Sequence, residues 1–283
     1  MTIEELLKDA TKSLAESGVT DTPRLDAEVL LAHVLDCDRL KLIINSKSCV
    51  SDFLRERFSL CLNRRLSSEP ISYILGYREF MSLKFFVSPG VLIPRPDTEV
   101  LAEFAIQKAK EIKNPHILDL CTGSGALAVS IAKYVNGAET TAIDFSPVCI
   151  EHAKKNAAEN GVVCRVNVIL QDILEDFSLN KKFDILVSNP PYIKTEVINT
   201  LEKNVKDFEP TSALDGGDDG LIFYRRITEI APALLKSGGT VAFEIGYDQY
   251  DEVYSVLENK GYKNISYLCD LAGIKRVICA VLP

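Results

Sequence analysis

The 283 residues carry no excess of positive charge: 32 lysines and arginines face 40 aspartates and glutamates, a formal net charge of −8. The deficit is uniform, with 10 basic and 12 acidic residues in positions 1–75 and 22 and 28 in the remainder. A nucleic-acid-binding surface needs lysine and arginine to displace counterions from phosphates, so direct binding to DNA or RNA is not expected. Cysteine pairing is also missing. Cys37, Cys49, Cys61, Cys121, Cys149, Cys164, Cys269 and Cys279 show no CxxC spacing and sit mostly in apolar runs. They read as buried reduced thiols of a cytoplasmic protein, without a disulfide or metal framework. No apolar run approaches the roughly 20 residues that span a bilayer, and the start, MTIEELLKDA, reads as an acidic capped helix instead of a targeting signal. No internal repeat is visible. The three histidines, His33, His116 and His152, lie away from the motif that carries the chemistry.

What is present, with 47% hydrophobic residues, is enough for one large core or a core plus a smaller domain. Residues 1–75 read as short helices. Thr2 with Glu5 forms a capping box, and Thr22 followed by Pro23 opens a second helix with Leu25, Val29 and Ala32 on one side. A third starts near Ser51 with Leu54, Phe58, Cys61 and Leu62 on one face. Arg57 and Arg64 lie elsewhere on it, as a solvated face or a docking surface for an acidic partner. Residues 76–95 turn strand-like, Arg78–Phe80 and Leu83–Val87, with Ser88–Gly90 as a turn before Val91–Ile93, which predicts a β-hairpin connector. Pro94 and Pro96 end extended structure, and Asp97 or Thr98 caps a helix to about Ile112.

From Pro115 strand and helix alternate, the pattern of an α/β fold with a parallel sheet covered on both faces. Seven strands are expected: His116–Leu120, Thr140–Ile143, Val166–Leu170, Phe183–Val187, Thr240–Glu244, Tyr262–Leu268 and Arg276–Val281. The last two are too close for a crossover, so they pair as an antiparallel hairpin at the end of the sheet.

The segment FDILVSNPPY, Phe183–Tyr192, organises the rest. Phe183, Ile185 and Val187 alternate with Asp184, Leu186 and Ser188 in a buried strand that stops at Asn189, because Pro190 and Pro191 have no N–H for a ladder. Their free carbonyls, an amide and an aromatic ring then stand at the carboxyl edge of the sheet, where α/β folds bind ligands. After the first strand, Asp119-Leu-Cys-Thr-Gly-Ser-Gly-Ala contains Gly123 and Gly125, which allow a tight turn and a close ligand. Asp144 is placed to accept both hydroxyls of a ribose, and Asp172 to accept from an adenine amine. The glycine pattern with a later acid also fits NAD. Asp119 before the loop would repel a pyrophosphate but suits an ammonium group, and the terminal antiparallel hairpin resembles class I methyltransferases, so S-adenosyl-L-methionine is favoured.

Tyr73–Gly76, Leu92–Glu99, Asp119–Gly125, Ser188–Tyr192 and Phe208–Gly217, read in that order, resemble the peptide chain release factor glutamine methyltransferase family over essentially the full length. Cys121 departs from it, standing where many relatives carry glycine. The resemblance implies an α/β, seven-stranded, Rossmann-like class I methyltransferase sheet in residues 96–283, a hairpin connector in 76–95 and a helical substrate-recognition domain in 1–75. It implies a monomer that methylates the glutamine of the Gly-Gly-Gln motif of release factors. The cofactor site comprises Asp119, Cys121, Thr122, Gly123, Ser124, Gly125, Asp144, Asp172, Ile173 and Asn189. The acceptor site comprises Asn189, Pro190, Pro191 and Tyr192, with Asn189, Pro190 and Tyr192 catalytic, and Phe208–Gly217 helps to cover it. A nucleobase amino-methyltransferase poses the same geometric problem but needs a basic groove; an NAD-dependent oxidoreductase has no use for NPPY, and a non-catalytic adenosine-binding adaptor has little use for Asn189.

Overall fold

A computed structural model describes residues 1–283. Two compact units emerge, Met1–Gly76 with Glu202–Phe208, and Tyr77–Leu201 with Glu209–Pro283. The first unit contains α1 (Ile3–Ser17), α2 (Pro23–Val34), α3 (Arg39–Ile44), α4 (Asp52–Leu66) and α5 (Ile71–Leu75). Thr2 and Glu5 close the capping box as the spacing predicts. Pro23 opens α2, but Thr22 makes no cap, its hydroxyl going to Asp26 instead. The buried face of α2 matches the expected one only in part. Of the expected side, Leu25 is exposed, Val29 half-buried and Ala32 buried; Ala27, Leu30, Leu31 and Val34 complete the core side, and the buried Asp26 turns inward to meet Arg65 at 2.7 Å. On α4, Phe58 is buried, Arg57 is exposed and Arg64 pairs with Glu69.

The second unit opens with β1 (Tyr77–Phe80) and β2 (Leu83–Phe86), paired antiparallel. The hairpin turns at Met81 and Ser82, both at positive φ, between the two expected strands, and Ser88–Gly90 makes the expected turn before Val91, whose amide donates to the Ser88 carbonyl. A two-residue turn with two left-handed residues matches strand twist, which the side chains Met and Ser do not advertise. The hairpin is tied to this unit through the Phe86 and Lys84 carbonyls, which accept from Asn156 and Asn160. Then follow α6 (Thr98–Lys110), β3 (His116–Leu120), α7 (Ala126–Tyr134), β4 (Glu139–Asp144), α8 (Pro147–Glu159), β5 (Val166–Leu170) and β6 (Phe183–Ser188). The short α9 (Lys203–Lys206) belongs to the first unit. The chain finishes with α10 (Ile222–Leu234), β7 (Leu235–Glu244), α11 (Tyr250–Asn259), β8 (Lys263–Cys269) and β9 (Lys275–Val281).

The sheet order is β5-β4-β3-β6-β7-β9-β8, parallel as far as β7, with β9 antiparallel to both neighbours. The terminal hairpin is therefore present, and its second strand lies inside the first. Successive β3 residues alternate between two cores, Ile117 in one and Leu118 and Leu120 in the other, as the two-residue side-chain period requires. Phe183 departs from the expected alternation: it shares a core with Leu186, while Ile185 and Val187 face the other way. The β6–β7 register shifts between Phe183 and Ile185, and the bulge reverses the face of the residue before it.

Candidate active site

The strand order reverses at β3, with β4 and β5 on one side and β6 and β7 on the other. Crevices for ligands form at the carboxyl ends of strands at such a point. Leu120 pairs with Ser188, and the Ser188 hydroxyl donates to the Leu120 carbonyl at 2.6 Å. The next residues, Cys121 and Asn189, thus leave the sheet side by side.

The loop after β3 is shaped by Cys121, Gly123 and Gly125 at φ +59°, +57° and +81°. A left-handed conformation is strained for any residue with a Cβ, so glycine would suit position 121 without strain. Burial, then the Asp144 carboxylate, raises the Cys121 thiol well above its ordinary value, so it stays protonated. Gly125 packs against α8, where an added Cβ would come within 3.1 Å of Ala153, whereas a Cβ on Gly123 would meet nothing within 4 Å. Asp144 accepts from the Gly123 and Ser146 amides, both at 2.9 Å. Its carboxyl is raised by burial despite these bonds.

Asp119 is fully buried beneath the loop, where one oxygen accepts from the Thr122 hydroxyl at 2.5 Å and the Ala128 amide at 3.1 Å. The other, Oδ1, has no partner. Burial pushes this carboxyl up to about 7, against the pull of the Thr122 and Ala128 bonds. Asn156, fully buried on α8 and without any local sequence signal, donates to the Ser124 carbonyl at 2.8 Å and exchanges bonds with both main-chain groups of Phe86.

The loop after β6 is held by groups distant in sequence. The Asn189 Nδ2 donates to the Thr98 hydroxyl at 3.1 Å, which leaves Oδ1 without a donor from the chain. The Tyr192 hydroxyl donates to Glu244 at 3.3 Å, and the buried Gln249 donates to the Tyr192 carbonyl at 2.9 Å. Ile193 then pairs with the Leu214–Gly216 backbone, which fastens NPPY to the downstream Asp215-Gly-Gly segment. That segment is itself anchored: Glu209, 5% exposed, accepts from Arg95 at 2.5 Å and from the Ile93 amide at 3.2 Å. Thr98, Glu244, Gln249 and Asn156 are the residues that sequence reasoning missed.

Between the loops lies a cavity. Cys121, Thr122, Gly123, Ser124, Asp144, Asp172, Ile173, Asn189 and Pro191 all reach its wall, and Arg95, Pro210, Ser212 and Ala213 close its far side. Four expected site residues do not line it. Asp119 braces the loop from below instead of facing an ammonium group, Gly125 packs on α8, and Pro190 is buried behind Asn189. Tyr192 turns into the core that contains Leu221 and Tyr224, its phenol raised by burial and then by Glu244. The open face over Gly123, with the Asp144 and Asp172 carboxylates on the same wall, fits a nucleoside with a small polar tail: Asp144 keeps unused lone pairs for hydroxyls.

Comparison with known proteins bears directly on this arrangement. Residues 5–76 match the PrmC N-terminal domain family and residues 96–207 the methyltransferase small domain family. The release factor glutamine methyltransferase of Clostridium acetobutylicum is 43% identical over 257 residues, 90% of each chain. That of Clostridium botulinum is 38% identical over 281 residues, 99% of each. Among solved structures, the release factor-specific protein-(glutamine-N5) methyltransferase of Alicyclobacillus acidocaldarius is 33% identical, with a TM-score of 0.42, covering 70% of this chain and 99% of that one. The hMettl16 catalytic domain, 16% identical with a TM-score of 0.55 over 82% of this chain and 85% of that one, shares the fold. At these identities over nearly the whole length, the chain belongs to the release factor glutamine methyltransferase family.

Proposed function

We propose that this enzyme transfers a methyl group from S-adenosyl-L-methionine to the side-chain amide nitrogen of the glutamine in the Gly-Gly-Gln motif of peptide chain release factors, giving N5-methylglutamine. The observation that carries the reading is the Asn189 carboxamide, set at the tip of a central strand with Nδ2 spent on Thr98 and Oδ1 free at the cavity wall. An amide nitrogen is a poor nucleophile because its lone pair is delocalised into the carbonyl. The site must therefore hold it in place and stabilise positive charge as it develops. Asn189 Oδ1 supplies an acceptor for one N–H of a carboxamide; Pro190 does not line the cavity, so its carbonyl has to turn toward it to take the second N–H, and both tasks then fall to one pair of dipoles. Tyr192 belongs to this site as the ring after the prolines, and stacking on the amide requires it to swing from its Glu244 contact.

The cofactor, when bound, supplies an electrophilic methyl on a sulfonium and leaves as S-adenosyl-L-homocysteine. Asp144 would hold its ribose hydroxyls, Asp172 and Ile173 its adenine, and the Cys121–Ser124 backbone its amino-acid end. No side chain in the cavity wall is needed as a strong base, because the transferred group leaves the nitrogen positively charged and a proton departs to water afterwards.

Substrate docking is assigned to the helical unit. Leu40, Ile43, Ile44, Phe53 and Leu60 are exposed there and offer apolar surface to a protein partner. The enzyme acts as a monomer in this reading. Mass spectrometry of purified release factor, incubated with the full chain and cofactor, tests it: a gain of about 14 Da on the single Gly-Gly-Gln glutamine is expected. An unmodified glutamine under conditions in which the chain binds S-adenosyl-L-methionine overturns it. Deleting residues 1–75 should abolish transfer to intact release factor, and full retention would remove the docking role.

A further inference from the structure

Gln249 immediately precedes α11, yet its side chain makes no cap for that helix and is buried, with the residue 7% exposed. Its carboxamide is spent on main chain instead. Oε1 accepts from the Gly246 amide at 3.0 Å, and Nε2 donates to the Tyr192 carbonyl at 2.9 Å and to the Gly220 carbonyl at 3.4 Å. The reverse orientation would set Oε1 against two carbonyls and the amide group against an N–H, so the neighbours fix which end is which. Gly246 follows Ile245, whose amide is still bonded to the Arg276 carbonyl of β9 at 2.9 Å. The side chain is thus a brace that runs from the edge of the sheet to the end of NPPY.

The Tyr192 carbonyl and the Ile193 amide belong to one planar peptide unit. Gln249 takes the carbonyl, and the amide donates to the Leu214 carbonyl at 2.9 Å, so the plane is gripped on both edges. At the other end of the motif, Ser188 lies in β6 with its hydroxyl on the Leu120 carbonyl. Two prolines with locked φ stand between these fixed ends. The torsions left, φ and ψ of Asn189 and Tyr192 and ψ of each proline, are only as many as the conditions that place one rigid plane relative to another. A segment closed in this way has discrete shapes. The Pro190 carbonyl, in its middle, therefore takes set orientations instead of drifting. The surroundings are close enough to keep it so: a Cβ on Gly216 would lie 2.8 Å from the Tyr192 Cα, and one on Gly220 would strike the Tyr192 carbonyl oxygen. The grip acts on main chain alone, so the Tyr192 ring can leave Glu244 without loosening it.

We propose that Gln249 is the positioning residue of the acceptor loop: by holding the peptide unit after Tyr192 it confines the Pro190 carbonyl to few orientations, among them the one that meets the second N–H of the substrate amide. The inference rests on the reading of Asn189 and Pro190 as the acceptors of that amide. Gln249 does not line the cavity, so it acts through the loop and not on the substrate. Without its Nε2 donor the plane is held by the Ile193 amide alone and can turn about that bond. The substrate nitrogen is then aimed at the methyl group less often, while the nucleoside wall at Asp144 and Asp172 is untouched.

The test is steady-state methylation of release factor by the full-length enzyme and its Gln249→Met, Gln249→Glu and Tyr262→Phe variants, with urea unfolding of each. Methionine keeps the length of the side chain without a donor, and glutamate keeps an acceptor for Gly246 but turns an oxygen toward two carbonyls. Tyr262→Phe removes another buried bond, to the Thr228 carbonyl at 3.1 Å, from residues outside the cavity wall, and serves as the control for lost stability. Gln249→Met is expected to lower kcat about 30-fold, with KM for release factor and Kd for S-adenosyl-L-methionine within about 2-fold of the parent. Gln249→Glu should lose at least as much, and Tyr262→Phe should keep kcat within about 2-fold. Parent-like kcat in Gln249→Met, a loss of cofactor affinity as large as the loss of kcat, or an equal loss of kcat in Tyr262→Phe would overturn the inference. If Gln249→Met does not fold, Gln249→Glu and Gly220→Ala, which presses on the same carbonyl, decide by the same split. A parent chain that fails to methylate release factor overturns the functional reading itself, which is a different result from an active parent with an unimpaired Gln249 variant.

Discussion

The two loops that frame the cavity leave neighbouring strands at paired positions, yet they are held in opposite ways. Each rests on a buried acid with one oxygen lacking a partner, Asp119 under the glycine loop and Glu244 behind NPPY. Asp119 finds its donors three and nine residues away, on Thr122 and Ala128. Glu244 is reached by Tyr192, 52 residues away. The cofactor loop is held partly by its own residues and partly by Asp144 and Asn156, 21 and 32 residues away, whereas the acceptor loop borrows its shape from four other segments. A self-held loop tolerates change elsewhere. A borrowed one transmits distant substitutions to the reacting groups.

The largest effect should come from the borrowed loop. Asn189→Ala removes an acceptor that acts on developing charge, so kcat/KM for release factor should drop by about 100- to 1000-fold, measured by methyl incorporation, while the melting temperature changes little. Parent-like turnover would break the comparison at its most informative point.

The two acids should next show themselves together in the pH dependence of stability. Asp119 and Glu244 ordinarily titrate at 3.8 and 4.5, and both stand near 7 in the fold, chiefly through burial. The folded chain holds these protons more tightly than the unfolded chain, so stability present at acidic pH is lost as pH rises through neutrality. Asp119 can contribute on the order of 4 kcal/mol at most, and Glu244 on the order of 3. The urea midpoint of Asp119→Asn and of Glu244→Gln should vary less than that of the parent between about pH 5 and pH 8.

Asn156→Ala tests how self-contained the cofactor loop is. It strands the Ser124 carbonyl and both main-chain groups of Phe86, and a loss of about 3 kcal/mol in urea unfolding is expected. A loss under about 1 kcal/mol would mean that the loop stands without α8.

Within that loop, Gly123→Ala and Gly125→Ala separate shape from occupancy. Both put a Cβ at positive φ, costing about 1 kcal/mol each, and Gly125→Ala adds the approach to Ala153. Gly125→Ala should therefore unfold at lower urea. Gly123→Ala should bind S-adenosyl-L-methionine less well by calorimetry, because its Cβ enters open space at the cavity wall. The smallest effect is expected of Cys121→Gly, where relief of left-handed strain and the added freedom of the unfolded chain offset each other to within about 1 kcal/mol. Cofactor affinity should stay within about 2-fold of the parent.

Much of this was legible in the linear chain where cause and effect lie close together. The capping box of Thr2 and Glu5, the seven strands, the terminal antiparallel hairpin and the glycine loop each follow from residues within one element or its neighbour. Legibility failed wherever a distant partner outweighed the local pattern. Asp26 turned toward Arg65 on the buried side of α2, and a register shift moved Phe183 to the other core. Asn156 and Gln249 look like ordinary helix residues until their side chains are seen on main-chain groups of loops 32 and 57 residues away.

By itself the order of residues determined that a strand must stop at Asn189, that a tight turn must follow Leu120, and that both belong to a parallel sheet, because proline lacks an N–H and glycine lacks a Cβ wherever they stand. Only the tertiary structure decided which end of Asn189 faces the cavity and which acids were left without a cation. Those outcomes depend on hydrogen-bond direction and burial, and neither exists until segments far apart in the chain are brought together.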